Sequence, residues 1–525
     1  MTTRDARPLA AIVSILAVAG AMSPREAWAQ APGLGTIEFP NSGAPPAQPA
    51  FIEGVKDLHS FEFDEAAAVF KKAQQADPGF ALAYWGEAMS YNHPLWAEVD
   101  LEAARKALGR LAPTLDGRLA TAKTAKEKGY VEAVDRLFFP DGDKLARDEA
   151  YSQAMRKMYE QWPDDHEAAT FYALSLLGTV RPGDKGFRRQ ALAASIALRV
   201  CKENPNHPGA AHFIIHAFDD PDHAPLALDA ARSYAKIAPS APHALHMPSH
   251  IFVQLGMWQD AIDSNMVAYK AAVDRNARLH FGEGREDFHA LSWLIYADLM
   301  AGRPDEAKKN VELARQTADR HPNDHAIRNY YLGMRALYIM ETGQWEAIPV
   351  ADPTGSGADD GHANMPGMSG LGAGYNGGTM WTFVAGMSAA KLGDFATAEK
   401  AESQLRAIRT RTEAGGNAYT AKLFAVMEKE LAALTKLARG QSEEAVRLAK
   451  EAADIELTLN PPSGPPDPIK PALELYGDVL LAAGRAEDAA MAYEQGLLRT
   501  PNRTPAVKGL ARAREQAGTK SAMLR

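Results

Sequence analysis

One short pattern recurs along this chain and restricts what it can fold into: a glycine followed five residues later by an alanine. It occurs at Gly256/Ala261, Gly302/Ala307, Gly393/Ala398, Gly440/Ala445 and Gly484/Ala489. Each copy lies between two stretches of helical hydrophobic periodicity, where the glycine ends one helix and the alanine lets the next pack closely. The pattern predicts consecutive antiparallel helix pairs, each of which needs its neighbours to bury its apolar face.

Two segments at opposite ends of the chain carry a fuller version of this pattern. Residues 47–80 contain Gly54, Ala66, Phe70, Ala73 and Pro78, and residues 470–503 contain Gly477, Gly484, Ala489, Tyr493 and Pro501. Both segments resemble the tetratricopeptide repeat, and the resemblance covers most of residues 51–515. It implies an all-α protein, a tetratricopeptide-like α-solenoid of antiparallel helix pairs that form a superhelix with a concave groove.

Composition predicts two interruptions. Residues 30–50 are rich in Pro, Gly and Ala, which predicts a flexible lead-in. Residues 351–378 contain nine glycines and two prolines, so they are predicted to be a loop, either a linker or a lid. This loop divides the repeats into an N-terminal array, 51–350, and a C-terminal array, 379–518. Its His362, Met365 and Met368 have a spacing that copper could use, although a linker is the favoured interpretation.

The N-terminus has the pattern of a secretory signal. Arg4 and Arg7 precede an apolar run, and Ala27-Trp28-Ala29 follows, which predicts a signal peptide over residues 1–29 with cleavage after Ala29. No later stretch is long and apolar enough to span a bilayer, so we expect a periplasmic or secreted protein without a stable membrane span. An uncleaved anchor is the alternative.

Charge and cysteine content exclude several classes of function. The formal net charge is −9, and about −10 without residues 1–29, which argues against a nucleic-acid partner. Cys201 is the only cysteine, so neither an internal disulfide nor a thiolate metal cluster can form. No glycine-rich phosphate loop or dinucleotide fingerprint is present, and we expect no nucleotide cofactor.

Histidine spacing is the strongest functional signal. His212/His216 and His246/His250 are each spaced i, i+4, and the second pair follows the first by 34 residues, one ideal repeat. Residues i and i+4 share a helix face, so two imidazoles can close onto one metal ion, and a neighbouring repeat can supply further ligands. We expect these four as ligands, with His289 or His243 as a fifth ligand or proton shuttle, and zinc, copper or iron as the metal.

The resemblance also implies which residues line the groove, since tetratricopeptide proteins use fixed positions of the first helix of each repeat. Carried over to this chain, those positions hold His243, His246, His250 and Gln254 in one repeat, His212, His216, Asp219 and Asp220 in another, His289, Ser292 and Tyr296 in a third, and His59 and His93 near the N-terminus. Asp219, Asp220, Glu286 and Asp287 are candidates for a metal ligand, an imidazole-orienting partner or a base.

Each of these features also has a structural interpretation. A single helical histidine is usually a satisfied, half-buried residue. Asp220 and Asp222 flank Pro221 and favour a turn or a helix cap. Pro248 lies between His246 and His250, and a kink there would disturb their i, i+4 geometry.

Three functions remain open on the sequence alone. The first is an exported metalloprotein for storage, delivery, or metal-dependent hydrolysis or oxidation. The second is a scaffold of the cell envelope that binds a peptide or protein segment in its groove without metal. The third is a pH sensor that loses its ligand between about pH 7 and pH 5. Neither histidine pair has the HExxH pattern, so a zincin mechanism is disfavoured, and whether the protein is an enzyme stays open.

Overall fold

The computed structural model describes residues 33–284, 286–350 and 377–523. Over these ranges almost all regular structure is α-helical, and each helix packs against the next one along the chain. A single two-stranded antiparallel ladder, β1 (Asn92–His93) and β2 (Glu98–Val99), forms in one connection. None of the helices in these ranges has the length and apolar character needed to cross a membrane.

The helices, in chain order, are α1 (Gln48–His59), α2 (Phe63–Ala76), α3 (Ala81–Met89), α4 (Leu101–Leu111), α5 (Leu115–Thr121), α6 (Ala125–Phe138), α7 (Lys144–Gln161), α8 (His166–Gly178), α9 (Arg188–Glu203), α10 (Pro208–Ala217), α11 (Leu228–Ile237), α12 (Pro242–His246), α13 (Pro248–Gln254), α14 (Trp258–Leu279), α15 (Glu286–Met300), α16 (Pro304–Arg320), α17 (His325–Thr342), α18 (Gly377–Leu392), α19 (Phe395–Ala414), α20 (Ala418–Ala438), α21 (Ser442–Glu456), α22 (Ala472–Ala482), α23 (Ala486–Arg499) and α24 (Thr504–Met523).

The recurring glycine and alanine do what the sequence predicts. The five glycines have positive φ, between 66° and 81°, in the turns that join paired helices. The five alanines are fully buried in the helices that follow. An α-carbon with positive φ is costly for most side chains, and a larger residue than alanine would hold the paired helices apart. The prediction of a helix-pair solenoid is confirmed.

The first and last helix pairs show the same packing. A side-chain carbon added to Gly54 would lie 2.8 Å from the Phe70 ring, and one added to Gly477 would lie 2.7 Å from the Tyr493 ring. In each pair an aromatic ring of the second helix therefore lies on bare backbone of the first. This contact explains why glycine and an aromatic residue occur 16 positions apart in both segments.

The expectation of a flexible lead-in is wrong for the described part of residues 30–50. Residues 33–44 have no regular structure but are packed, and α1 begins at Gln48. Phe39 is 4% exposed, and its ring contacts those of Phe51, Trp85 and Tyr130. The buried Phe39 ring holds this segment in place despite the surrounding Pro, Gly and Ala. Composition alone does not reveal the effect of one such residue.

The two predicted arrays contact one another. Arg503, at the start of α24, pairs with Glu341 of α17 (2.6 Å), and the Thr504 hydroxyl donates to the Met300 carbonyl (2.5 Å). Residues 351–376, with His362, Met365 and Met368, lie outside the described residues, and α18 begins at Gly377. Within the described ranges, an ion pair and a hydrogen bond therefore connect the C-terminal helices to the N-terminal ones.

Candidate metal centre

Three histidines from two helices meet in what we call the first triad: His212 and His216 of α10, and His243 of α12. The Nε2 atom of His212 lies 3.0 Å from Nε2 of His216 and 3.1 Å from Nε2 of His243. The i, i+4 spacing brings the first two rings together, and the packing of α10 near the start of α12 adds the third.

A second triad repeats this arrangement one helix pair later, with His246 of α12, His250 of α13 and His289 of α15. Nε2 of His246 lies 3.1 Å from Nε2 of both His250 and His289. Each triad offers one ring nitrogen per histidine within 4.8 Å of the others. The Nε2 pairs at 3.0–3.1 Å lie inside the span of about 4.2 Å that two nitrogens can have when both bind one ion at the usual distance of about 2.0–2.1 Å.

Pro248 does not disturb the second triad. Met247, which separates α12 from α13, has helical dihedrals (φ −53°, ψ −34°), and its N–H donates to the His243 carbonyl at 2.9 Å. The His250 N–H donates to the Met247 carbonyl at 3.1 Å, a tighter turn than the α-helix. Pro248 therefore occupies the first turn of α13, where its missing N–H leaves no gap in the hydrogen bonding.

Hydrogen bonds to the outer ring nitrogens fix the orientation of three of these rings. Nδ1 of His212 contacts the His59 carbonyl at 2.7 Å, Nδ1 of His246 contacts Oδ1 of Asn265 at 2.7 Å, and Nδ1 of His250 contacts the Asp219 carboxylate at 2.6 Å. All three partners are acceptors, and Asn265 uses its own Nδ2 to donate to the Ala261 carbonyl. The network therefore assigns the proton of each neutral ring to Nδ1 and leaves a lone pair on Nε2.

Burial keeps these imidazoles neutral. Desolvation, followed by the charge that neighbouring histidines would carry, holds the pKa values of His212, His216, His243 and His246 well below 6.5. The same causes lower the pKa of His289 to about 3. Neutral rings are the form that binds metal ions. A lowered pKa works against the protonation on which the pH-sensor interpretation depends.

Aromatic side chains surround both triads. The Phe61 ring lies 4.4 Å from that of His212 and 5.3 Å from that of His243, centroid to centroid. Trp293 contacts all three rings of the second triad, at 4.3 Å from His250, 5.0 Å from His246 and 5.9 Å from His289. His216, His243 and His289 keep partial exposure, so each triad has one side that solvent can reach.

A third group, His59, Glu167 and His207, lies fully buried behind the first triad. Nε2 of His59 contacts Glu167 at 2.7 Å and Nε2 of His207 contacts it at 3.1 Å, while Nδ1 of His207 accepts from the Ala210 N–H. Burial alone would raise the pKa of Glu167, but His59 and His207 lower it to about 2. These distances suit hydrogen bonds to a carboxylate, and the group fixes His59, whose carbonyl orients His212.

The remaining residues that are predicted to line the groove separate into two sets. Asp219 contacts His250, and Gln254 donates to Asp219 (3.4 Å) and to the Pro462 carbonyl (2.8 Å), so both lie beside the second triad. Asp220 instead accepts from the Asp222 and His223 N–H groups, which makes it the turn residue of the alternative interpretation.

Two further residues of the predicted groove, Tyr296 and His93, have other partners. Tyr296 is buried against Trp258, at 5.9 Å between ring centroids, on the side of Arg503. His93 stacks on Phe63 at 4.2 Å. Asp287 accepts from Asn276 (3.0 Å), and the side chain of Glu286 lies outside the described residues.

Sequence reasoning did not find Asn265, Glu167, Phe61 or Trp293. Asn265 lies on α14, the helix paired with α12 and α13, and a polar residue on the buried face of an amphipathic helix is a signal that could have identified it. Glu167 and Phe61 reach the site through non-neighbouring repeats, for which the local pattern carries no signal.

Comparison with known proteins finds solved structures of low similarity. No family model matches the chain, and no curated protein matches it. Similar solved structures include the tetratricopeptide domain of P58(IPK), 13% identical over 90% of this chain and 99% of that one with a TM-score of 0.23. Yeast Tom70 is 11% identical over 90% and 89% (TM-score 0.32), and a Rap protein complexed with competence and sporulation factor is 14% identical over 76% and 100% (TM-score 0.32).

Identities and TM-scores this low carry no inference about ligands. The decisive observation is the repeated helix pair itself, with its positive-φ glycine, buried alanine and aromatic ring against glycine. The chain is an α-solenoid of repeated helix pairs. In this α-solenoid, the four helices α10, α12, α13 and α15 supply six histidines to one region.

Proposed function

We propose that this chain is an exported metalloprotein in which a tetratricopeptide-like scaffold holds two transition-metal ions, one in each histidine triad. The observation that carries the proposal is the contact between His246 and His250. Both rings have Nδ1 bound to an acceptor, so in their neutral form two Nε2 lone pairs face each other at 3.1 Å. Two lone pairs repel at that distance, and a cation between them turns the repulsion into two bonds.

The donor set supports a metal that prefers nitrogen. Three imidazoles and no thiolate suit zinc, copper or iron, and three protein ligands leave a coordination position for water or a substrate. His289 and His216 are partly exposed, so a ligand from solvent can reach both triads. The proposal therefore covers metal storage or delivery as well as metal-dependent hydrolysis or oxidation. Export rests on the signal-like residues 1–29 and the predicted cleavage after Ala29.

The test is metal content of the mature chain, residues 30–525, purified without a histidine tag. Mass spectrometry after exposure to zinc, copper or iron should find close to two ions per chain. His212→Ala and His246→Ala should each remove about one, whereas His223→Ala should remove none, because His223 pairs with Asp220 outside the triads. A protein that takes up none of the three metals contradicts the proposal.

Binding of a protein or peptide segment is the second candidate function, because repeat scaffolds of this kind present extended surfaces. In that case, the histidines would only line the binding surface. The triad variants separate the two candidates. If His212→Ala and His246→Ala do not change metal uptake, the metal proposal is contradicted and the scaffold function is the one that remains.

A further inference from the structure

The two triads lie close enough to act together. His243 and His246 are three residues apart on one helix, with ring centroids 6.4 Å apart, and the rings of His216 and His250 are 6.1 Å apart across the gap between triads. The two metal positions are therefore neighbours in one buried site rather than two independent sites.

Charge balance at this paired site favours ions of low charge. Six neutral imidazoles bring no negative charge, and among the described residues Asp219 is the one carboxylate hydrogen-bonded to any of the six. With Asp219 at the second triad and Glu167 buried behind the first, two divalent ions would leave two positive charges uncompensated in a buried environment, whereas two monovalent ions would leave none. Uncompensated buried charge is expensive, so the site disfavours a resting pair of divalent ions.

Copper is the imidazole-binding transition metal with a stable monovalent state, and monovalent copper accepts three nitrogen ligands without a fourth. Resting on the proposed metal function, we infer that the triads hold a pair of copper(I) ions and that their shared substrate is dioxygen, bound between them.

The chemistry of this step balances without any further reactant. Each copper(I) gives one electron and becomes copper(II), and dioxygen accepts the two electrons to become peroxide. The O–O double bond becomes a single bond, and each oxygen forms a bond to copper. The pair gains two positive charges and the peroxide carries two negative ones, so the net charge of the site does not change. A site poor in carboxylates can therefore hold both states.

The surroundings favour a small neutral molecule. A side-chain carbon at Gly464 would lie 2.3 Å from the Trp293 ring, so the segment around Gly464 lies directly against the indole that contacts the second triad. The Gln254 side chain donates a hydrogen bond to the Pro462 carbonyl in the same segment. With Phe61 packed against the first triad, these residues surround the site with apolar surface that admits dioxygen without desolvating a charge.

The experiment uses the mature chain, residues 30–525, with Cys201→Ser to remove the one thiol that could bind copper(I) elsewhere. The protein is loaded with copper(I) under argon, copper per chain is measured, and oxygen is then admitted. We expect two coppers per chain, uptake of one dioxygen per chain, an intense near-ultraviolet peroxide-to-copper(II) absorption, and no electron paramagnetic resonance signal, because the paired copper(II) spins cancel.

The outcomes separate this inference from the proposed function. Two coppers that fail to take up dioxygen, or that give the paramagnetic signal of isolated copper(II), overturn the inference and leave the metal function standing. Failure to bind copper, zinc or iron overturns both. His289→Ala should hold about one copper and give the isolated copper(II) signal in air, whereas His223→Ala should match the parent. Circular dichroism of each variant verifies that it is folded.

Discussion

The Nε2 atoms of His246 and His250 face each other at 3.1 Å, although Asn265 and Asp219 already hold the Nδ1 atoms of both rings. The outer partners decide the chemistry here, because they determine which nitrogen of each ring carries the proton. A pair of i, i+4 histidines with free Nδ1 atoms could hydrogen-bond to each other. Because both Nδ1 atoms donate to other acceptors, the two Nε2 atoms are arranged to bind a cation.

Asp219→Asn tests the contribution of the carboxylate. Asparagine can still accept from Nδ1 of His250, but the negative charge that strengthens this ring as a ligand is lost. We expect metal affinity at the second triad to fall about 10–100-fold, the usual effect of losing such a partner. Competition with a chelator of known affinity measures it. Asp220→Asn is the control, because Asp220 belongs to the neighbouring turn, and equal losses in both variants would contradict the assigned role.

Gly209→Ala tests the packing of α10 on His59. An added side-chain carbon would lie 2.4 Å from Nδ1 of His59, so helix and ring must move apart. We expect a loss of stability of about 1–3 kcal/mol, typical of overpacking, measured by urea unfolding.

The matched control for this substitution is Gly109→Ala on α4. No atom lies within 4 Å of the position its side-chain carbon would occupy, and alanine is the better helix former there. Gly109→Ala should leave stability unchanged or raise it slightly. A similar loss in both variants would show that the His59 contact does not matter.

Much of the fold and part of the site follow from the sequence, and the reason is periodicity. Gly54 with Phe70 and Gly477 with Tyr493 are local contacts within one repeat, so their spacing is visible in the chain. The 34-residue interval between His212 and His246 likewise predicts that both lie at equivalent places in adjacent repeats.

The division into triads could not be predicted this way. The sequence groups the four paired histidines and leaves His243 and His289 as additional ligands, whereas the structure adds His243 to the first triad and His289 to the second. That choice depends on how α10, α12 and α15 lie against each other, which spacing does not determine. Glu167 reaches the site through His59, 108 residues away, so no local pattern includes it.

Arg503→Met tests how the C-terminal helices are attached. Arg503 is fully buried between Glu474 (2.7 Å) and Glu341 (2.6 Å), and its removal breaks both ion pairs. Glu474 keeps its pair with Lys470 (2.7 Å), so Glu341 is the carboxylate that loses its cation, and we expect a loss of about 3–5 kcal/mol, the usual effect of breaking a buried pair from one side. Urea unfolding and limited proteolysis measure it. Arg514→Met, which removes an exposed pair with Glu494, should cost under about 1 kcal/mol, and equal effects would contradict this attachment.

Glu430→Gln tests a buried acid. Glu430 is fully buried, neither carboxyl oxygen has a hydrogen-bond partner among the described residues, and burial followed by Glu456 raises its pKa well above 4.5. The folded chain therefore retains this proton while the unfolded chain releases it near pH 4.5. The contribution of Glu430 to the free energy of unfolding is therefore fully present below pH 4.5, and it is lost as the pH rises toward the pKa of Glu430 in the folded chain.

Glutamine has the same shape and no proton to lose, so Glu430→Gln should remove this part of the pH dependence and raise stability at neutral pH. Urea unfolding midpoints at a series of pH values from about 4 to 8 measure the effect. Glu443→Gln on the exposed face of α21 is the control and should leave the profile unchanged. If Glu430→Gln and the parent lose stability in parallel as pH rises, Glu430 is not the group that titrates.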